Sequence, residues 1–322
     1  MKLFICTQAV DTQDPVLRFF IRWIEEFAKH CEKIIVVCLR EGTHQLPANV
    51  EVVVLGEVAR WLKAFRLLRI SVLRRNDYDA VFVHMNPEYI VIAGLLWHTL
   101  HKRIALWYTH KSVNLKLRIA VFFANVIFTA STESFRIQSR KVKVVGHGID
   151  VDFFYPEQKK TRGTTVLSAG RLSLIKRHDL VIHAAEHFPN EVHIVGDGPE
   201  KQYLKDLAKQ LSITSRVHFL GAETQERLRE EYRRAGVLVH TSETGSLDKI
   251  VLEALACGLP VITTNLALSG LPVVIVDPTA NAIAKEVFTI RTTNPQTLFA
   301  YVREHHSLQR LIPVILNILQ SV

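Results

Sequence analysis

The segment Thr244-Gly245-Ser246-Leu247-Asp248-Lys249 joins a small polar turn to the start of a helix. Backbone N–H groups at such a turn stand at the positive end of a helix dipole, an arrangement that holds phosphate. Glu253 follows on the same helix, where it can bond sugar hydroxyls, and Gly258 ends the helix. A phosphate cradle beside a hydroxyl-binding acid implies a nucleotide or nucleotide-sugar ligand. Upstream, Arg171 and Lys176 lie five residues apart on a loop that follows a strand-like run. Two cations so placed can clamp a diphosphate and stabilise the charge it gains on leaving; alone, the same pair reads equally as a solvated basic turn. Gly196-Asp197-Gly198-Pro199 lets backbone approach a ligand closely. It lacks the third glycine of a dinucleotide fingerprint, and an ordinary tight turn is the competing reading. Leu220 and Ala222, at the end of Phe219-Leu220-Gly221-Ala222, present backbone suited to a flat base.

These loops need strands and helices to hold them. In the first half, short apolar runs predict strands at Leu3–Thr7, Lys33–Cys38, Glu51–Leu55, Ala80–His84, Arg103–Trp107, Val126–Thr129 and Val142–Val145. Helical patterns such as Asp14–Ala28 and Glu57–Arg75 lie between them. The second half repeats the rhythm. Its strands are expected at Thr165–Ser168, Val192–Val195, Val217–Leu220, Val237–His240 and Val261–Thr263, its helices at Arg177–His187, Glu200–Leu211, Gln225–Ala235 and Leu247–Ala256. Strands separated by helices argue for parallel sheets covered on both faces. The fold class is therefore α/β, with two Rossmann-like doubly wound domains facing a cleft. The expected boundaries are 1–155 for an acceptor domain, 156–305 for a nucleotide-sugar domain, and 306–322 for a helix returning toward the junction. The polar stretch Glu157–Gly163 reads as a linker. Pro313 predicts a kink or a fresh start within the last helix.

The order and spacing of the four segments resemble the nucleotide-sugar half of glycosyltransferases with the GT-B fold, the large retaining group called family 4. The resemblance is specific over about residues 142–265. It implies that Arg171 and Lys176 contact the diphosphate, that Gly196 and Gly198 form the family's Gly-X-Gly-Pro turn, and that Glu253 is the second Glu of its Glu-X7-Glu motif, bonding ribose hydroxyls. Gly245, Ser246, Leu247 and Asp248 then supply backbone donors, with Leu220 and Ala222 beside the base. Gly146–Pro156 matches the family's hinge, with His147 where Asn is usual. The first Glu of the motif falls on Gly245; Glu243, two residues upstream, either replaces it or is aimed away by the turn. His110 resembles a histidine beside the reacting centre, against the alternative of a surface histidine at a helix start. In the first half, Asp11 and Asp14 stand where the family has paired glycines, to contact an acceptor or to cap the next helix. The resemblance implies a UDP- or GDP-sugar donor, no separate cofactor, no metal, and a saccharide or lipid-linked acceptor. The alternatives are a GT-B protein that binds nucleotide-sugar without turnover and a GT-B sugar-nucleotide epimerase.

The formal net charge is +9. Residues 1–155 hold 21 Lys/Arg against 14 Asp/Glu and the remainder 19 against 17, so the basic half should face something anionic. From Val58 to Arg75 there is no acidic residue. Arg60, Lys63, Arg66 and Arg69 alternate there with Trp61, Leu62, Phe65, Leu68 and Val72, a pattern fit for an anionic membrane surface or for a sheet-covering helix with solvated cations. No nucleic-acid recognition module is present. Cys6, Cys31, Cys38 and Cys257 lack metal-ligand spacing and read as reduced core residues of a cytoplasmic protein. Met1–Cys6 reads as a first strand rather than a signal peptide, and the apolar stretch Tyr89–Trp97 is too short to span a bilayer.

Overall fold

A computed structural model describes residues 1–14, 16–157, 162–290 and 294–321. Pro15 and linker residues 158–161 lie outside the described residues. The chain divides into two compact units, Met1–Gly148 with Leu308–Val322, and Ile149–Ser307.

The first unit opens with β1 (Lys2–Cys6), β2 (Ala9–Val10), α1 (Phe19–His30), β3 (Lys33–Cys38), β4 (Arg40–Glu41), β5 (Val50–Val54) and α2 (Arg60–Leu73). It continues with β6 (Ala80–His84), α3 (Glu88–Thr99), β7 (Arg103–Trp107), α4 (Leu115–Phe123), β8 (Val126–Thr129) and β9 (Val142–Val144). Seven strands form a parallel sheet in the order β5-β3-β1-β6-β7-β8-β9. The inner strands are buried along almost their whole length, as β1 and β6 are, which explains why they read as continuous apolar runs. β2 and β4, two residues each, pair separately and carry too little pattern to be seen in sequence.

The second unit contains β10 (Val166–Ala169), α5 (His178–Ala185), β11 (Val192–Val195), α6 (Lys201–Gln210), β12 (Val217–Gly221) and α7 (Gln225–Arg234). It continues with β13 (Val237–His240), α8 (Lys249–Ala256), β14 (Val261–Thr263), β15 (Val274–Ile275), α9 (Ala280–Thr289) and α10 (Pro295–His306). Its parallel sheet runs β12-β11-β10-β13-β14-β15, the order of a doubly wound dinucleotide-type fold. Strand order reverses between β10 and β13, and ligands of such sheets bind beyond the carboxyl ends of the strands at that point.

Local chemistry sets the helix starts. Asn114 and Thr224 accept from the N–H groups of Leu117 and Arg227 to cap α4 and α7. Asn294 accepts from Gln296, with Pro295 as the first residue of α10. The first helix begins at Phe19 and not at Asp14, because Asp14 Oδ1 accepts from Val16 and Leu17 N–H and closes a separate turn first. Asp14 also pairs with Arg40 at 3.2 Å. The last helix, α11 (Leu308–Ser321), belongs to the first unit and packs on α1, burying a stripe of Leu308, Leu311, Ile312, Ile315, Leu316 and Leu319. It runs through Pro313; the break expected there lies at Ser307, whose backbone is extended.

The basic helix α2 shows both apolar and cationic side chains to solvent. It fully buries only Leu67 and Ser71. Trp61 is 73% and Phe65 59% exposed, with Val72 and Leu73 also exposed. Lys63 and Arg66 are half-buried, and Arg66 donates to the Leu55 carbonyl. All four cysteines are buried thiols.

Gly148 has φ +72° and sits between Trp23 of α1 and Leu311 of α11. A Cβ there would lie 2.5 Å from Trp23 and 2.6 Å from Leu311, both buried. Gly148→Ala is expected to cost about 2 kcal/mol in urea-unfolding free energy, from overpacking plus left-handed strain. Gly270→Ala, which meets nothing within 4 Å, should leave the unfolding midpoint in place.

Candidate functional site

Two loops flank the switch point of the second sheet: residues 170–177 after β10 and residues 241–248 after β13. They are bonded to each other along their length. Thr241 Oγ1 donates in the region of two carbonyls, those of Lys176 at 3.0 Å and Arg177 at 2.8 Å. Glu243 N–H donates to the Ile175 carbonyl at 2.9 Å. Arg177 has φ +50°, left-handed for a non-glycine residue, and its guanidinium is held by Asp179 and by Glu243. Strain of this kind persists only where surrounding bonds over-determine it. Glu243 is thus directed to Arg177.

Lys176 Nζ lies 2.8 Å from Asp248 Oδ2. His240 Nε2 meets the same oxygen at 2.8 Å. With Asp248 ionised, the ring proton of neutral His240 belongs on Nε2. Nδ1 then accepts from the Thr263 hydroxyl, 3.0 Å away, and Thr263 Oγ1 accepts in turn from Asn265 N–H. Burial pushes the Asp248 carboxyl upward, but the His240 hydrogen bond and the Lys176 charge outweigh it and hold it well below the usual carboxylate range. Asp248 directly precedes α8 yet caps none of its N–H groups with its side chain.

Gly245, with φ +57°, Ser246 and Leu247 complete the turn. Their N–H groups have no hydrogen-bond partner among the described residues. The turn is anchored from behind by Asn265 Nδ2, which donates to the Ser246 carbonyl at 3.0 Å. Arg171 is exposed and has no carboxylate partner among the described residues. The geometry therefore places one lysine already paired with a carboxylate beside three amides that have no partner among the described residues, at the start of a helix, with exposed Arg171 on the same loop as the lysine.

The glycine turn after β11 packs against the loop after β10. A Cβ on Gly196 would sit 1.9 Å from the Gly170 carbonyl oxygen, and one on Gly198 2.2 Å from that of Leu172. Backbone approaches backbone here: Leu172 N–H donates to Asp197 O and Glu200 N–H to Leu172 O. The glycines let the two loops pack edge to edge. Pairing between β11 and β12 slips after Ile194, so Leu220 is the extra residue of a bulge and Gly221 pairs with Val195. Ala222, just beyond, is exposed.

Glu253 is 8% exposed and its Oε2 accepts from Tyr232 at 3.3 Å. Burial lowers the ammonium of Lys249, one helical turn before Glu253, while the Glu253 charge opposes that shift. Beside the site, His178 Nδ1 lies 2.9 Å from Ser168 Oγ, and burial draws its imidazole down to about 4. His110 is in the first unit, on the turn after β7. Its Nδ1 accepts from Ser112 N–H at 3.0 Å, which leaves the neutral ring's proton on Nε2. Asp150, in the expected hinge, accepts from Asp152 and Phe153 N–H. Among the described residues no three His, Cys, Asp or Glu are placed to hold a metal ion.

Sequence reasoning did not single out His240, Thr241, Arg177 or Asp179. Each acts through a partner on another element or in a strained turn, so no local spacing announces it.

A family model described as "Glycosyl transferases group 1" matches residues 152–302. A D-inositol 3-phosphate glycosyltransferase of Mycobacteroides abscessus is 34% identical over 152 residues, 42% of this chain and 34% of that protein. The chain thus spans about a third of the length of the curated relatives it matches. Anabaena HepE, solved in complex with UDP, aligns over 100% of both chains with TM-score 0.79 and 16% identity. Its complex with UDP-glucose aligns with TM-score 0.78. At such identity the likeness shows the fold, which is GT-B.

Asp248→Asn should lower the unfolding free energy at pH 7 by about 2 kcal/mol, the worth of charge-assisted bonds to Lys176 and His240. A depressed carboxyl contributes above its unfolded range and loses that contribution as pH falls. The gap between wild type and variant, followed by urea unfolding, should therefore narrow below about pH 4.

Proposed function

From the premise that residues 152–302 form a glycosyl transferases group 1 domain within a GT-B chain, we propose that this protein transfers a sugar from a UDP- or GDP-sugar, with retention, to a saccharide or lipid-linked acceptor. The observation that carries the reading is the meeting of Lys176 with Asp248 at the opening of α8, beside three unpartnered amides.

The diphosphate of the donor lies across the N–H groups of Gly245, Ser246 and Leu247, where dipole and hydrogen bonds both favour an anion. Lys176 has three N–H donors, so its bond to Asp248 leaves two for phosphate oxygens. Arg171 closes the other side. These groups stabilise charge growing on the departing nucleoside diphosphate, the part a metal plays elsewhere, so the reaction needs neither metal nor cofactor. Glu253 bonds the ribose hydroxyls. Gly196, Gly198, Leu220 and Ala222 shape the base side. Gly245 leaves no carboxylate for the sugar at that position, and Glu243 is engaged by Arg177, so recognition of the sugar falls to other groups. The acceptor hydroxyl attacks the anomeric carbon on the face the diphosphate leaves, and a leaving phosphate oxygen takes its proton. HepE's complexes with UDP and UDP-glucose support a uridine nucleotide over the alternatives.

The chain works at an anionic membrane face. The described residues include no helix long and apolar enough to cross a membrane. Exposed Trp61 and Phe65 on α2, interleaved with Arg60 and Arg69, have the composition of an interfacial helix, with Lys63 and Arg66 on its flank.

With UDP-glucose as the probe donor, Lys176→Ala and Arg171→Ala should each lower nucleoside diphosphate release by about a hundredfold or more, while circular dichroism stays unchanged. Tight nucleotide binding without any release would identify a binder and refute the transferase. In a separate test, Trp61→Ser with Phe65→Ser should weaken sedimentation with phosphatidylglycerol vesicles by about tenfold and leave the salt dependence in place. Unchanged sedimentation would remove α2 from the membrane.

A further inference from the structure

A cavity of about 320 Å³ opens at the carboxyl edge of the first unit's sheet, between α2, α3 and the start of α4. Its position is where open parallel sheets bind ligands, and its size lies at the lower end of small-molecule sites. The inner lining is apolar, with Leu55, Leu67 and Tyr89 at its floor. The Tyr89 hydroxyl is not available there, because it donates to the Thr7 carbonyl at 2.6 Å. Three cations line the same cavity: Arg60, Lys63 and Lys116. Lys116 is paired with Glu88, also in the lining. Arg60 and Lys63 have no ion-pair partner among the described residues.

This lining suits one kind of ligand. A free oligosaccharide needs many uncharged donors and acceptors, and the cavity offers the side chain of Asn86 as its uncharged polar group besides the engaged Tyr89. A purely apolar ligand would leave the two unpaired cations without an anion. We propose that the cavity is a site for a phosphate-bearing amphiphile, with the phosphate on Arg60 and Lys63 and the hydrocarbon on Leu55, Leu67 and Tyr89. The proposal rests on the transferase reading in making this amphiphile the acceptor, and it narrows that acceptor from saccharide or lipid-linked to a lipid phosphate or diphosphate. Arg60 and Lys63 bind and position it; they take no part in bond breaking.

Decyl phosphate, below its micelle concentration, is the probe, titrated calorimetrically into the full chain. It should bind at least about tenfold more tightly than decanol or inorganic phosphate, since both halves of the ligand find partners. Arg60→Ala with Lys63→Ala should weaken it about tenfold and leave UDP affinity unchanged. Ile92→Trp, which fills the cavity from its half-exposed rim, should weaken it too. Equal affinity for decyl phosphate and decanol, or indifference to both variants, overturns the site. Binding only to phosphatidate vesicles, with none to soluble decyl phosphate, also overturns it, leaving the two cations as a membrane contact. Nucleotide release by the wild type decides the transferase reading separately, so the two can fail independently.

Discussion

The bonding of two loops across the switch point of the second sheet is the constraint on which the site depends. A doubly wound sheet leaves a gap where strand order reverses, because the crossovers from β10 and β13 run to opposite faces. Here the gap is bridged by Thr241, Glu243 and Asp248 on one side and Ile175, Lys176 and Arg177 on the other. Without those bonds the left-handed Arg177 would relax, and Lys176 would lose the carboxylate that fixes its direction. With them, a flexible ammonium is held at the start of α8 before any ligand arrives. Preorganisation of this kind lets a fixed charge act on a transition state without reorganising during the reaction.

The same arrangement has a cost. Asp248 neutralises Lys176 and brings a negative charge near the amides of Gly245, Ser246 and Leu247, which would oppose an arriving diphosphate. In the proposed function, Arg171, which has no carboxylate partner among the described residues, and the dipole of α8 supply the net attraction. His240 contributes by sharing Asp248, so that the carboxylate is drawn toward β13 as well as toward the lysine. The backbone packing of Gly196 and Gly198 on the loop from Gly170 to Leu172 then fixes the base of the clamp.

Much of this was legible in the residues alone. Strands β3, β6, β7, β8, β11, β13 and β14 have the bounds their apolar runs predict, because buried parallel strands have little else to be. Two doubly wound units followed from the repeated rhythm, and the GT-B fold was what the resemblance in motif order implied. The start of α1 was misplaced because a capping aspartate before a helix and one closing a separate turn look alike in sequence. The sequence left two readings of α2 open, because apolar periodicity reports only a stripe; packing against α3 leaves Leu67 and Ser71 as its fully buried pair. Within the site, the turn and its amides were readable, while the side chain of Asp248 was not. Its two charged or ring partners lie eight residues upstream in β13 and 72 residues away in the loop after β10. Glu243 was ambiguous on its own, and the direction it takes is set by Arg177, a residue whose φ no spacing predicts.

The most direct test of the central claim is a crystal structure of the full chain with UDP-glucose. The account predicts diphosphate oxygens within hydrogen-bond distance of Lys176 Nζ and of the Ser246 and Leu247 amides, with Arg171 turned toward them. A diphosphate bound elsewhere, with Lys176 still facing Asp248 alone and those amides open to solvent, would contradict it.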